Sequence, residues 1–434
     1  MGLIKPFRAW HYHPQKVAID RVIAPPYDVI SESYREKLRK RDPHNIIRLI
    51  LGQPKAGGVF EDHEYEEARQ YLDQWTRDQI LSCEPKEGFY LYEMGYDHPF
   101  LKKPLSRLAL FGLLKLEPFE QKVVFPHERT HSSPLLDRGK LLRATCANFS
   151  PVFTLYEDPT HMLDQIRKDR ESKPSLFDFL DDQKVHHRLW VISEKKEMDQ
   201  IAVQFDRKRI FIADGHHRYE TALGYAQEMS QKVMSGSKAS WEYVMSTFVR
   251  FNDPGLSILP IHRVVLKSLP RGQGAFLEGL KKHFVLHSVS RSVLEKVSEG
   301  SITEGFGLAF SELECYLLEL KDRTRARQDM LAGKPQSWYE LDMNLLSFLI
   351  FGPLVDIQDH QLEWNIFYTP SVDEAFGKLK MKEASCAFFI RPITAHVIKN
   401  ICESGELMPQ KSTYFYPKFP SGLLIYHHSS ESDS

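Results

Sequence analysis

Apolar positions recur along the chain in two periods, near 3.6 and near 2, and the switching between them predicts a mixed α/β (α+β) protein. Residues 22–28 open as a short apolar run and turn at Pro25-Pro26. Residues 33–40 read as a short helix, with Ser33 and Glu36 spaced as a capping box. Residues 45–51 read as a buried strand ending at Gly52. In 61–81, Tyr65, Ala68, Tyr71, Leu72 and Trp75 fall near one face of a helix. Short apolar runs at 88–94, 108–116, 149–156, 189–193 and 244–249 read as strands. The run 209–213 is a further strand, broken by Asp214-Gly215; from Arg218 the positions Tyr219, Ala222, Leu223 and Ala226 start a helix. Helices at 276–283 and 292–298 and strands at 307–310 and 315–320 follow. The stretch 267–274, with Pro270, Gly272 and Gly274, is the best linker. It divides the chain into 1–270, an α/β domain, and 271–434, a smaller α+β domain. No repeat is visible.

Composition narrows the function classes. The chain has 434 residues, 42% hydrophobic and 26% charged, the mix of a globular protein. Lys plus Arg is 57 and Asp plus Glu is 58, so the net charge of −1 leaves no basic footprint for coating a nucleic acid. The five cysteines are scattered and form no Cys-x-x-Cys pair, which favours a reducing compartment over a disulfide framework or a cysteine zinc site. The longest apolar stretch, 345–355, is interrupted by Gly352 and Pro353 and is short of a membrane span. The first eight residues carry no signal-peptide core, and Met1-Gly2 is followed by Pro6 where a myristoylation signal has Ser or Thr. A cytoplasmic protein with no membrane partner is expected. Residues 427–434 are polar and expected to fray, and homodimerisation is left open.

The richest segment chemically is 209–223, read as strand, tight turn and helix. A helix N-terminus presents unpaired N–H groups and a partial positive charge, which suits anions. Gly215 would admit close approach of a ligand; His216, His217 and Arg218 would add donors, and the planar fork of Arg218 matches phosphate oxygens. The alternative is a turn whose histidines fill polar gaps. Adjacent histidines diverge too far to share one metal ion, so Asp214 is the metal candidate of this segment, best spaced with His216.

His127-Glu128-Arg129-Thr130-His131 matches the zinc-protease pattern, which needs a helix to align both histidines. Pro126 before it and Ser132-Ser133-Pro134 after it leave little room for that helix. Glu128 is then a candidate general base or Mg²⁺ ligand, or else part of an exposed loop. Residues 137–145 read as the start of a helix, with Arg138 among the basic residues near its beginning. Lys411, Ser412 and Thr413 lie in a loop able to bind phosphate, though without the Walker frame; the alternative is a core strand at 413–416. Pro25-Pro26 presents Tyr27 and Asp28, either to a substrate amine or Mg²⁺ or as a cap for the next helix. Arg263 is an anion ligand or a surface ion pair.

These blocks carry a resemblance. Ala24 to Asp28, His127-Glu128 with Thr130, Asp137-Arg138, Asn148 to Pro151, Ala213 to Tyr219, Asp253 to Leu256, Pro260 to Arg263 and Met408 to Lys418 resemble the bacterial family known as domain of unknown function 1015. The likeness runs through nearly the whole chain and implies no settled activity. The turn Asp214-Gly215-His216-His217-Arg218 is also similar to the Gly-x-His-Arg phosphate-binding turn of the ParB/sulfiredoxin fold, which includes free-serine kinases. That likeness implies nucleotide phosphates on Gly215 to Arg218. It also implies a glutamate base well before the turn, for which Glu128 is the matching residue, with an insertion between the two. A sulfiredoxin activity is not implied, because His216 stands at its cysteine position.

The expected function is phosphoryl transfer between a nucleotide and a small hydroxyl metabolite, with free serine or phosphoserine as the best guess. Glu128, His127 and Asp214 would be catalytic. Gly215, His216, His217, Arg218, Arg138, Lys411, Ser412 and Thr413 would bind phosphate. Tyr27, Asp28 and Arg263 would bind substrate, with Mg²⁺ and ATP or ADP as cofactors. Two alternatives stand: a ParB-like nucleotide-binding regulator without turnover, and a metal-dependent hydrolase.

Overall fold

The computed structural model describes residues 2–52, 62–232 and 240–428. Two sheets organise them. The strands of the first are β1 (Ile4–Lys5), β2 (Phe89–Asp97), β3 (Pro104–Lys115), β4 (Val124–Phe125), β5 (Val152–Tyr156), β6 (Phe177–Leu180), β7 (His186–Ile192), β8 (Ile210–Asp214) and β9 (Tyr243–Arg250). They lie in the order β4-β8-β5-β9-β3-β2-β7-β6, with β1 against β3. The pairs β4·β8 and β5·β9 are parallel and the others antiparallel, so the sheet is mixed. Alternate residues face opposite sides. Ile210 and Ile212 join Val244, Phe248 and the helix residues Tyr219 and Ala222 on one face. Phe211 and Ala213 pack on the other face with Phe153, Leu155 and Val249. Both faces are covered, which is why the strands read as apolar runs rather than as clean alternation.

The second sheet holds β10 (His262–Val265), β11 (Phe284–Val289), β12 (Phe306–Ala309), β13 (Cys315–Leu320), β14 (Ile366–Thr369) and β15 (Cys386–Phe389). Its order is β11-β13-β12-β15-β10-β14, all antiparallel. Its inner residues Val265, Phe306, Leu318 and Phe388 share a continuous apolar core with Phe211 and Val249 of the first sheet.

The sheets divide the chain elsewhere than at residue 270. β10 already belongs to the second sheet, and the chain returns to the first body at its far end. There Tyr414–Tyr416 pairs with Ser257–Leu259, and Tyr426–His427 pairs with Ala147–Asn148. Buried Arg107 secures the return: its Nη1 donates to Tyr416 O (3.1 Å) and its Nη2 to Pro417 O (2.6 Å), with the guanidinium 4.6 Å from the Phe419 ring centroid. His427 and His428 are therefore held rather than frayed, His428 N donating to Cys146 O at 2.9 Å. Residues 429–434 lie outside the described residues.

Local expectations differ in four places. Residues 45–51 contain a short helix, Ile47–Ile50, because Asn45 Oδ1 accepts from Ile47 N (3.0 Å) and turns the chain. A short apolar run cannot itself distinguish helix from strand. Ser31, not Ser33, caps the helix Glu32–Arg41 by accepting from Tyr34 N. The helix α1 (Asp62–Arg77) buries Tyr65, Ala68, Leu72 and Trp75 but stops before Leu81, which pairs in a strand with Tyr12; Glu61 lies outside the described residues. The helix α2 (Ser132–Thr145) begins before Asp137, so Arg138 sits inside it. Ser347–Val355 is a π-helix, wider than an α-helix, containing Pro353; among the described residues no helix is long and apolar enough to cross a membrane.

The block Asp253 to Leu256 is a packing device. Asp253 Oδ1 accepts from Gly255 N (2.9 Å), and Gly255 O accepts from Tyr96 Oη (2.8 Å). A Cβ at Gly255 would stand 2.3 Å from Ser106 O, a backbone atom that cannot swing away. Gly255→Ala is expected to cost about 2 kcal/mol or more through forced backbone displacement, read as a lowered urea midpoint at unchanged slope; an unchanged midpoint would refute the close approach.

Candidate active site

The site forms where the parallel strands β4 and β8 end side by side. β8 runs into Asp214 and Gly215, and the helix α3 (His216–Lys232) begins at once. Gly215 has φ +90°, which favours glycine, and a Cβ there would also press on the Arg218 guanidinium, 2.8 Å from its Cζ. The first N–H groups of α3 have no intrahelical acceptor, which makes this end of the sheet receptive to anions. β4 delivers the loop 126–131 to the same place. That loop is extended: Glu128 bridges Met408, and the helix α2 begins only at Ser132. His127 and His131 are thus not on one helix face, and the zinc-protease geometry is not formed.

The adjacent histidines of the turn face different parts of the loop. His216 Nε2 accepts from His127 N (3.2 Å), and His217 Nε2 accepts from His131 N (3.0 Å). Their divergence around the helix lets the pair hold both ends of the segment 127–131. Nε2 on each ring is therefore an acceptor, not the phosphate donor expected from the sequence. Burial, with His127 nearby, lowers the His216 ring to about 3. Burial and His131 lower His217 as well.

Glu128 occupies the centre. Its Oε1 accepts from Ser412 N (3.0 Å) and lies 3.6 Å from His127 Nε2, and the side chain keeps 19% of its surface open. Burial opposes its charge, but the His127 and His216 rings and the Ser412 N–H outweigh that and hold the carboxyl below its ordinary range. His127 is buried; its Nδ1–H donates to Ile212 O (2.7 Å), and its Nε2 lies 3.0 Å from Thr413 Oγ1.

Around this centre lie three cations, each with a partner. Asp214 is ion-paired with Arg218 Nη2 (2.6 Å) and with Lys418 Nζ. Burial raises its carboxyl, yet the two cations outweigh burial and hold it well below the ordinary value. Both oxygens are thereby committed, so Asp214 is a counter-ion and not the metal ligand considered from the sequence. Asp214 and Asp28 in turn hold the Lys418 amine above its usual value against its burial. Arg138 is buried within α2, donating to Asp137 Oδ2 (2.7 Å) and to Ile50 O (2.7 Å), and lies 4.2 Å from the Tyr27 ring centroid. Burial pushes the Tyr27 phenol up to about 12 against the pull of Arg138. Asp28 is exposed beside Tyr27.

Two expectations are redistributed. Arg263 is buried behind the loop, its guanidinium given to the carbonyls of Ile261 and Lys411 (Nη2 to Lys411 O, 3.1 Å). It positions the loop and does not face a ligand. Lys411 is exposed, with φ +57°, and Lys418, not Lys411, reaches Asp214. Sequence reasoning missed Lys418 as a site residue, though it lies in the same block and follows the two carbonyls that Arg107 fixes. It also missed the clasp in which His131 Nε2 meets Gln410 Oε1 and Gln410 Nε2 donates to Arg129 O (3.2 Å). Thr130, whose Oγ1 donates to Glu220 Oε2 (2.7 Å), ties the loop to α3.

The neutral histidines set a pH dependence. His216 titrates at about 3 in the folded chain against 6.5 for an ordinary histidine, and His262 of β10 likewise falls to about 3 through burial. Between these values the unfolded chain binds more protons, so stability falls as pH drops below about 6.5. Urea unfolding should show a lower midpoint at about pH 5 than at about pH 7.5, and His216→Gln should flatten that decline. A decline of equal size in the variant would contradict the buried neutral ring.

Among curated proteins none matches this chain. A conserved hypothetical protein from Pyrococcus furiosus is similar at 14% identity over 72% of this chain and 93% of its own, with a TM-score of 0.35. A free serine kinase in complex with AMP is similar at 14% identity over 71% of this chain and 88% of its own, with a TM-score of 0.35. SbnI with a C-terminal truncation, from Staphylococcus aureus, is similar at 11% identity over 75% of this chain and 90% of its own, with a TM-score of 0.35. The family described as protein of unknown function (DUF1015) matches residues 4–344, more than half of the chain. This chain belongs to that family.

Proposed function

We propose that the protein is a phosphotransferase that moves a phosphoryl group between ATP or ADP and the hydroxyl of a small metabolite, free serine being the substrate that fits best. The observation that carries this reading is the position of Glu128. It is an ionised, partly open carboxylate fixed by the Ser412 N–H, in a loop that His216 and His217 tie to the N-terminus of α3. A base and an anion-binding helix end therefore share one site.

Phosphate oxygens would rest on the N–H groups of Gly215 to Arg218, with Arg218 and Lys418 as the neighbouring cations. Arg138 and Lys411 would add further positive charge. Glu128 would orient the hydroxyl and take its proton as the new P–O bond forms and the bond to the nucleotide's bridging oxygen breaks. A loose transition state asks for positioning more than for a strong base, so a carboxyl below its ordinary range suits the role. Asp28, exposed near Lys418, would receive the substrate's ammonium group. Mg²⁺ usually keeps several waters and takes one or two carboxylates with the phosphates. Glu128 or Asp28 would serve as that carboxylate, and the ion would neutralise phosphate charge. In reverse, the same residues would return the phosphoryl group of phosphoserine to a nucleotide.

Thermal melts with ATP, ADP and pyrophosphate, with and without Mg²⁺ and L-serine, should show a nucleotide shift that grows with serine. Glu128→Gln should retain that nucleotide shift while turnover falls by about 100-fold or more. A regulator without turnover is the answer if nucleotide binds but serine changes nothing and no phosphoserine forms. Absence of any nucleotide or pyrophosphate shift would sink the reading.

A further inference from the structure

The second sheet carries a cavity that the phosphotransferase reading does not use. It encloses about 560 Å³, within the span of about 300–1,000 Å³ typical of small-molecule sites. Its floor is the facing pair Phe306 and Leu318 of β12 and β13, continued by Met330 and Leu345, all four buried. Val397 and Ile393 form a wall. An apolar body of about ten heavy atoms would replace water there with carbon contacts, which is favourable per unit of area buried.

The mouth is acidic. Glu299, Glu304, Glu340 and Asp342 line the cavity against Arg323, Arg327 and Arg391, one more carboxylate than guanidiniums, while the Glu319 carboxylate is taken by His287 at 3.1 Å. Asp342 and Arg391 close on each other as a bidentate pair, with Arg391 Nη2 2.5 Å from Oδ1 and Arg391 Nε 3.0 Å from Oδ2. Arg323 is shared, with Nη2 3.1 Å from Glu304 Oε2 and Nη1 3.3 Å from Glu340 Oε1. Glu304 and Glu340 thus share Arg323, with Arg391 within reach of both charges and Gln336 Nε2 donating to Glu340 Oε1. Both are at least 45% exposed, so their ion pairs are weak and exchangeable. Arg327 lies over the Tyr339 ring, 5.2 Å from its centroid, and gives Nη2 to Gln336 Oε1, so it pairs directly with neither carboxylate.

We propose that this cavity is a binding site for a small hydrophobic amine, its apolar body on Phe306 and Leu318 and its ammonium between Glu304 and Glu340. Charge complementarity selects a cation over an anion, and the depth of the floor selects a hydrophobic one over a free metal ion. Its lining includes none of the residues placed at the first site, and the proposal does not depend on the phosphotransferase reading.

Calorimetry on the full chain would titrate hexylamine and 2-phenylethylamine, with hexanoate and ethylamine as controls. The expected result is saturable one-to-one binding of both larger amines, with neither control binding. The double variant Glu304→Gln with Glu340→Gln should weaken the amines by about tenfold or more, equivalent to about 1.4 kcal/mol. Both side chains are exposed, so its melting temperature should stay close to that of the parent. Val397→Trp should block binding while leaving both carboxylates in place. Hexanoate binding as well as hexylamine would overturn the proposal. So would silence from both larger amines at millimolar concentration, or full amine affinity in the folded double variant. Serine and nucleotide effects on melting at the first site are read separately, so either site can fail alone.

Discussion

The first site depends on two imidazoles that accept instead of donate. His216 and His217 take the backbone N–H groups of His127 and His131, and burial keeps His216 from gaining the proton that would reverse its role. Without them a loop at the edge of the sheet would leave polar backbone unpaired in a crowded place. With them the loop is registered against the first turn of α3, and Glu128 is carried to a set position. Met408 N then donates to His127 O at 2.8 Å, and Ser412 N meets the Glu128 carboxylate. Together these contacts fix the loop, with the imidazole pair at its two ends.

Charge in the site is arranged in pairs, not pooled. Asp214 stands between Arg218 and Lys418, and Asp137 stands between Arg138 and Tyr65, whose Oη donates to it at 2.7 Å. A buried cation without a counter-ion is costly, whereas a paired one keeps a fixed direction. The arrangement gives preorganised guanidinium and ammonium groups beside a helix end, at the cost that an incoming anion must share them with resident carboxylates. The acidic mouth of the second cavity inverts that sign, with two carboxylates on one guanidinium.

What the sequence made legible follows the range of the interactions involved. The strands at 209–213 and 244–249 and the helix containing Tyr65, Ala68, Leu72 and Trp75 were readable because burial imposes a local period. Strand Cys315–Leu320 was read to the residue. The turn at Asp214-Gly215 was legible because only glycine fits it. The direction of His216 and His217, the choice of Lys418 over Lys411 and the burial of Arg263 were not legible. Each is decided by a partner tens to hundreds of residues away, and spacing along the chain holds no trace of it. The helix at Ile47–Ile50 was missed for a local reason, since an asparagine side chain overrode an apolar run. The stretch 267–274 was read as a boundary because glycine and proline mark a turn, and the second sheet begins just before it with β10. The return of residues 408–428 to the first body has no compositional sign at all.

That return ties the assembly of the site to the order in which the chain is made. Segments around Tyr27, Glu128 and Asp214 emerge early, yet the loop that meets Glu128 and the lysine that meets Asp214 arrive only after the whole second sheet. Closing so long a loop as a free coil would carry an entropic penalty growing with the logarithm of its length. A folded second body shortens the effective loop to the span between its own ends. The amide that orients Glu128 is thus delivered by a completed neighbour, and a nascent chain holds the carboxylate long before it holds the amide that aims it.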